Sequence, residues 1–277
     1  MTVAVVTDST ADIPSKVVDE LGITVIPLYV QFGKKSYRDG IDLSAAEFYD
    51  RLVHGPDYPK TSTPNIGDFV STYNEVAKKS REIISIHLGS KISATYNVAV
   101  AAVKEVEADC RIELIDANTT LMAQGLLVIE AAKAAKDGMG LSQLTDMVHE
   151  LIPKVHVIVT FDTIKYLHMG GHATGTQAFL GAALRVNPLV EIEEVIKPFG
   201  KAIGRRRAID ALCKYAKSFS PPRSLAVQHC TDAEEGESLA ERLGGMFPGV
   251  LMYRSVLGPV AGTYSGPHGL AVSILEQ

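Results

Sequence analysis

Short apolar runs that stop on a polar residue, each followed by a longer helix-type pattern, recur along the chain. This alternation constrains the fold more than any other feature of the sequence. Residues 3–7 form one such run, closed by Asp8-Ser9-Thr10. A buried strand, a polar loop and a capped helix have that order. Pro14 near the helix start and Gly22 at its end match the usual asymmetry of helix termini. The strand pattern returns at 23–30, 83–87 and 111–115, with 37–44 as an irregular stretch. The helix pattern returns at 45–53, 66–79, 93–106 and 121–136. Strands alternating with helices predict an α/β fold whose first sheet is mostly parallel. After a helix at 141–151 a second set begins, with strands at 155–160, 189–192, 195–197, 224–229 and 250–255. Its helices are expected at 176–184, 205–219 and 233–244, with a turn at Gly200 and a glycine–proline loop over 258–269. A boundary near Pro153 divides the chain into an N-terminal α/β domain, 1–153, and a C-terminal α/β domain, 154–277. No low-complexity linker separates them, so a ligand site between them is expected.

At 277 residues the chain is long enough for one large domain or two of ordinary size. Hydrophobic residues make up 46% and charged residues 21%, a globular composition, and the net charge of −5 offers no field for nucleic acid or an anionic membrane. Cys110, Cys213 and Cys230 are far apart and form no CxxC pair, which disfavours a disulfide framework or a zinc site and fits a reducing compartment. The start, MTVAVVTDST, lacks a charged region and an apolar run of signal length. No segment approaches the roughly 18 apolar residues of a membrane span. A cytoplasmic protein without stable membrane insertion is the expectation.

Motifs for chemistry are mostly absent. There is no G-x-x-x-x-G-K-[ST] phosphate loop and no G-x-G-x-x-G after a strand, and Ser265-Gly266 lacks the G-x-S-x-G spacing of a hydrolase. His168 and His172 have a metal-like spacing, but Gly170-Gly171 between them breaks the helix that would present both. His87, Asp8 and Asp116 each end a strand and could reach a ligand there. A structural histidine and helix-capping aspartates are the plainer reading. No nucleophile stands beside a base, so no catalytic residue, metal or cofactor is expected.

Binding features remain. Thr61-Ser62-Thr63-Pro64-Asn65 places hydroxyls on an extended stretch before a helix that Asn65 can cap. A turn with a cap has the same composition. Ser93 is a natural N-cap after Gly89-Ser90-Lys91-Ile92, and a helix N-terminus welcomes an anion. If the Thr61 stretch lies beside it, hydroxyls and amides can converge on a carboxylate. Arg205-Arg206-Arg207 could grip phosphate or dock an acidic partner, or be a solvated helix start.

Several of these stretches together resemble the DegV family of bacterial fatty-acid-binding proteins, over residues 6–269. Thr7-Asp8-Ser9-Thr10-Ala11-Asp12-Ile13-Pro14 looks like the family's opening motif. Thr61-Ser62-Thr63-Pro64 resembles its T-S-Q-P loop, and Ser93-Ala94-Thr95-Tyr96-Asn97 its S-G-T-Y-Q. Tyr166-Leu167-His168-Met169-Gly170-Gly171 is similar to Y-L-x-K-G-G-R, and Gly200-Lys201, Arg205–Arg207 and Gly258-Pro259-Val260 complete the series. The resemblance implies two α/β domains, the second with a mixed sheet, and a long-chain fatty acid of about fourteen to eighteen carbons buried with about 0.8 kcal/mol gained per CH₂. It implies a carboxylate held by Thr61 and Ser93 with Ser62 nearby, and a separate fatty acid kinase as partner, with Arg205, Arg206 and Arg207 as a docking surface. Tyr264 stands where the family usually has histidine, and can donate a hydrogen bond to the head group. His172 and Met169 replace the usual arginine and lysine, Ala94 a glycine, and His268 stands where a glycine is common. The changes at Tyr264 and His172 bear on handover to a kinase more than on lipid binding.

Two readings of other classes compete. One is a phosphotransferase-type enzyme using the C-terminal glycine-rich loop, which lacks an ATP or metal motif. The other is a DNA-binding regulator acting through Arg205–Arg207, against which the acidic balance speaks.

Overall fold

The computed structural model describes residues 2–171 and 186–277. The first half contains β1 (Ala4–Asp8), α1 (Ser15–Leu21), β2 (Thr24–Ile26), β3 (Tyr29–Phe32), β4 (Lys35–Arg38) and α2 (Ala45–His54). It continues with β5 (Lys60–Ser62), α3 (Ile66–Ala77), β6 (Glu82–His87), α4 (Thr95–Val103), β7 (Arg111–Asp116), α5 (Leu121–Lys136) and α6 (Leu141–Leu151). The second half contains β8 (Val155–Thr160), α7 (Lys165–Met169), β9 (Val186–Ile192), β10 (Ile196–Ile203), α8 (Arg205–Ala216) and β11 (Pro222–His229). It ends with α9 (Ala233–Met246), β12 (Leu251–Val256), α10 (Pro259–Ser265) and β13 (Leu270–Glu276). The helix expected at 176–184, and His172, lie outside the described residues.

The parallel sheet has the order β2-β1-β6-β7. Its two central strands, β1 and β6, are buried almost throughout, which is why they read as continuous apolar runs rather than alternating ones. Chain order reverses direction between β1 and β6, so the crevice at their carboxyl ends is a topological switch point, where ligands of such sheets bind. The single strand expected at 23–30 is two strands in different sheets. Pro27, which has no N–H to donate, separates β2 from β3. The second of these joins a small antiparallel sheet of order β4-β3-β5.

The C-terminal sheet, β10-β9-β8-β13-β11-β12, is mixed as expected: β11 and β12 are parallel and the other pairs antiparallel. Gly200 is not a turn. It pairs with Leu189 inside β10, and the register shifts between Pro198 and Gly200, a bulge at a proline that cannot extend the ladder. Nor is 258–269 all loop, because Pro259 starts α10, in which its missing N–H costs nothing. Ser93 does not cap α4. The N-cap is Ala94, and the Ser93 hydroxyl accepts from Thr95 N at 3.3 Å. Asn65 does cap α3, in a reciprocal capping box with Asp68.

α5 lies between the two large sheets, packing on β1 and β6 of one and on β8, β11 and β13 of the other. Its residues from Leu121 to Ala132 are buried on every face and apolar except Gln124 and Glu130, as a helix enclosed on all sides requires. One hydrophobic cluster accordingly runs from Val3 to Leu275 through both halves. Among the described residues no helix is long and apolar enough to cross a membrane.

Candidate functional site

The carboxyl ends of β1 and β6 open onto an apolar cavity of about 90 Å³. Thr10, Leu88, Ile92, Thr120 and Leu121 wall it from the first half. Phe161 after β8, Leu167 of α7, Ile192 of β9 and Ile196 of β10 wall it from the second, with Val260, Ala261 and Tyr264 of α10. Leu121 is placed there by a left-handed backbone, φ 59°, which costs a residue with a Cβ about 1–2 kcal/mol. Among the lining side chains only Thr10, Thr120, Tyr264 and Ser265 carry a polar atom.

Tyr264 is where the hydroxyl stretch meets this cavity. Residues 60–62 are a strand, β5, so their side chains alternate. Lys60 and Ser62 are exposed, and Thr61 turns inward to share a short hydrogen bond with the Tyr264 hydroxyl. Burial pushes the Tyr264 phenol above its ordinary value despite the opposing Thr61 bond, so at neutral pH it is a hydrogen-bond donor and no base. The ring is fixed by its surroundings. Gly170, at the end of α7, lies against it so closely that a Cβ would collide with the ring. Tyr58, stacked on Tyr166 with ring centroids 6.2 Å apart, donates its hydroxyl to Tyr166 O at 2.8 Å and Thr263 O at 2.5 Å. The double-glycine segment and α10 are thereby tied together beside Thr61.

Ser93 follows Ile92, which lines the cavity, but its own hydroxyl is turned to Thr95 Oγ1 at 3.0 Å rather than to Thr61 or Tyr264. The arginines divide. Arg205 is committed to Glu235, with three bonds at 2.9, 3.0 and 2.5 Å, and to Asp162 at 3.4 Å, whereas Arg206 and Arg207 are exposed.

Asp8 and His87 proved to belong to a buried polar chain. Asp8 Oδ2 is 2.9 Å from His87 Nδ1, His87 Nε2 is 2.7 Å from Ser85 Oγ, and Ser85 Oγ is 2.9 Å from the Tyr73 hydroxyl. The order is that of a carboxylate–imidazole–hydroxyl triad, but Asp8, His87 and Ser85 are fully buried, so no substrate reaches the hydroxyl. Burial raises the Asp8 carboxyl, and the bonds and charge of His87 with the bonds from Thr10 and Leu88 outweigh it, leaving it below its ordinary value. The network has a positioning effect: Asp8 Oδ1 takes the Thr10 hydroxyl at 2.5 Å and Oδ2 takes Leu88 N at 3.0 Å, and both residues line the cavity. Gln124 of the central helix joins it through Thr10 and Thr7, each at 3.0 Å. Asp116 caps its loop, accepting from Ser90 N and Asn118 N at 3.1 and 3.0 Å. Among the described residues no group of His, Cys, Asp or Glu is arranged to hold a metal ion.

The profile of the DegV family, whose description is an uncharacterised protein, matches residues 2–277. The chain belongs to the DegV family. Protein DegV of Bacillus subtilis is 34% identical over 277 residues, covering 98% of each chain. Its crystal structure, described as that of a fatty acid binding protein, superimposes with a TM-score of 0.89 over 100% of both chains. A DegV family protein of Thermus thermophilus, whose structure is described in terms of fatty acid binding, gives a TM-score of 0.91 at 26% identity, again over 100% of both chains. The lining residues on β8, β9 and α10 had no signature of their own in the sequence. Apolar side chains around a cavity and apolar side chains in a core follow the same period.

Proposed function

We propose that this protein binds a long-chain fatty acid, with the acyl chain in the cavity between the sheets and the carboxylate at Thr61 and Tyr264. The observation that carries the reading is an apolar cavity with a paired threonine and tyrosine hydroxyl at its wall. Neutral donors hold a carboxylate without reacting with it, so the reading is of a carrier rather than an enzyme. Ser93 joins the head-group contacts by turning its hydroxyl from Thr95, and Ser62, exposed on the other face of β5, contributes at the rim.

The tail supplies the affinity. Each buried CH₂ contributes about 0.8 kcal/mol, so a chain of about sixteen carbons is held mainly by its methylenes. The cavity of about 90 Å³ is well below the roughly 300–1,000 Å³ of small-molecule pockets. Uptake of a whole chain therefore parts the walls, and α10 and the β9–β10 hairpin are the elements to move. Mass spectrometry of protein purified from a bacterial host tests the reading. A co-purified fatty acid near one-to-one, reduced in a Thr61→Ala, Ser93→Ala double variant, is expected. A lipid-free mass with no uptake of added palmitate or oleate overturns it.

Presentation of the bound acid to a separate fatty acid kinase is the second part of the proposal. The exposed Arg206 and Arg207 form the docking surface, with Arg205 held back by Glu235 as its support. Acyl phosphate formed by such a kinase with ATP should require this protein and fall with charge reversal at Arg206 and Arg207.

A further inference from the structure

Of the four polar side chains that line the cavity, three already have partners. The Thr10 hydroxyl donates to Asp8 Oδ1 at 2.5 Å, Ser265 donates to Gly266 O at 3.1 Å, and Tyr264 is bonded to Thr61. Thr120 differs. It is only 8% exposed, and its hydroxyl has no hydrogen-bond partner among the described residues. Nor is that oxygen sealed in the packing, as the partnerless Ser224 Oγ, His229 Nδ1 and Ser273 Oγ are. It opens on the space beside it, and that space is the cavity.

The local sequence explains why this hydroxyl is left over. Thr120 is the N-cap of α5, with an extended backbone at φ −152° and ψ −171°. A threonine in that position ordinarily accepts from the N–H two or three residues on. Here Met122 N is already given to Gln228 Oε1 of β11 at 3.0 Å. Leu121 between them is left-handed, whereas the first residue of a capped helix is right-handed, so the usual cap geometry is lost. The residues before it hold the position: Thr119 Oγ1 donates to Ile192 O of β9 at 3.3 Å, and Asp116 ties down the loop. A fixed hydroxyl therefore stands on the α5 wall of an apolar cavity, while the Thr61–Tyr264 pair belongs to β5 and α10.

In water such a hydroxyl is hydrated. A saturated acyl chain that displaces the water offers no replacement bond, and affinity is lost. An oxygen on the chain, at the carbon that reaches Thr120, restores the bond, and the positive end of α5 favours its lone pairs. The oxygen must be uncharged: no Lys, Arg or His is among the described residues lining the cavity, so an ionised group would be buried without a counter-ion. A hydroxyl fits, since it can both donate to Thr120 and accept from it.

We propose that Thr120 is a specificity residue for the acyl tail, and that the cavity selects long-chain fatty acids bearing a hydroxyl at one interior carbon. The inference rests on the acyl-site reading.

Displacement of a fluorescent fatty acid by stearate, and by monohydroxystearates spanning carbons 3 to 17, tests it. In the native protein affinity should peak at one interior position, about fivefold or more above isomers whose hydroxyl lies elsewhere in the buried chain. Thr120→Val, which keeps the shape and removes the hydroxyl, should abolish the peak and tighten stearate. Thr120→Ser should retain the peak. A flat dependence on position in the native protein overturns the proposal. So does a Thr120→Val variant that shifts every ligand equally and leaves the peak in place, which would assign Thr120 to the head group or to the fold. Should that variant not fold, Thr120→Ala is read in the same way, and a flat native scan refutes the proposal without any variant. Stearate that binds with no positional peak among the isomers defeats the tail inference alone. Failure of every fatty acid to bind defeats the acyl-site reading and this inference with it.

Discussion

Thr61 and Tyr264 lie 203 residues apart and meet through one hydrogen bond, with Thr61 on a three-residue strand and Tyr264 on a seven-residue helix. Removing either hydroxyl, by Thr61→Val or Tyr264→Phe, should weaken fatty acid binding by about 0.5–1.5 kcal/mol, roughly two- to tenfold. The double variant should lose less than the sum, because both act on one contact. Fluorescence titration of the three variants measures this. Asp39 carries a prediction of opposite chemistry to Asp8. Its folded carboxyl, raised to about 7, keeps a proton that the unfolded chain releases. Its contribution to stability therefore falls as pH rises from the ordinary carboxylate range to about 7 and then levels off. Asp8, lowered in the fold, contributes stability above that range and loses it as pH falls. Urea denaturation at pH 5 and 8 should show Asp39→Asn gaining on the native protein at the higher pH.

Among the elements, β5 and α10 were the hardest to read from local pattern. Three hydroxyl residues before a proline look like a loop, and only pairing with β3 turns them into a strand. That pairing decides which hydroxyl faces inward, because side chains on a strand alternate. The glycine and proline content of 258–269 likewise reads as loop, while Pro259 at a helix start and Gly266 at its end, φ 73°, bracket α10. By contrast α5 matches its predicted bounds, Leu121–Lys136, since a run rich in Ala, Leu, Met and Lys, with only Gly125 against it, is readable from local pattern. The packing of α7 on α10 yields a test at this scale. Gly170→Ala places a methyl against the Tyr264 ring and should cost about 1–3 kcal/mol of stability. It should also displace Tyr264 from Thr61, so lipid affinity should fall with it, as denaturation and binding measured on the same sample would show.

For the whole molecule, the shared core and the central α5 join both halves around the cavity. A ligand bound there touches both, so it should stabilise the protein as one unit. At a hundredfold excess over Kd the gain is about 2.7 kcal/mol, visible as a single shifted unfolding transition with palmitate and absent with a short-chain acid. Filling the space from within is the complementary test. Ala261→Phe on α10 should lower uptake of long chains more than tenfold, a loss above about 1.4 kcal/mol, at a stability cost of about 1–3 kcal/mol for overpacking.

Much of the α/β order was legible in the chain, because strand periods, helix caps and breakers such as Pro14 and Gly22 act over a few residues. The stretches at Thr61, Ser93 and Gly170 pointed to a family for the same reason, being short and local. What the local pattern left open was which side chains meet. Ser62 and Thr61 are neighbours of the same chemistry, and only the register of β5 against β3 turns one outward and the other to Tyr264. Phe161, Ile192 and Val260 follow the period of any buried side chain, and only the packing of two sheets about α5 leaves a cavity where they converge. Periodicity and capping are properties of neighbours along the chain, whereas a binding site is made by residues far apart in sequence, whose contact depends on how complete elements pack.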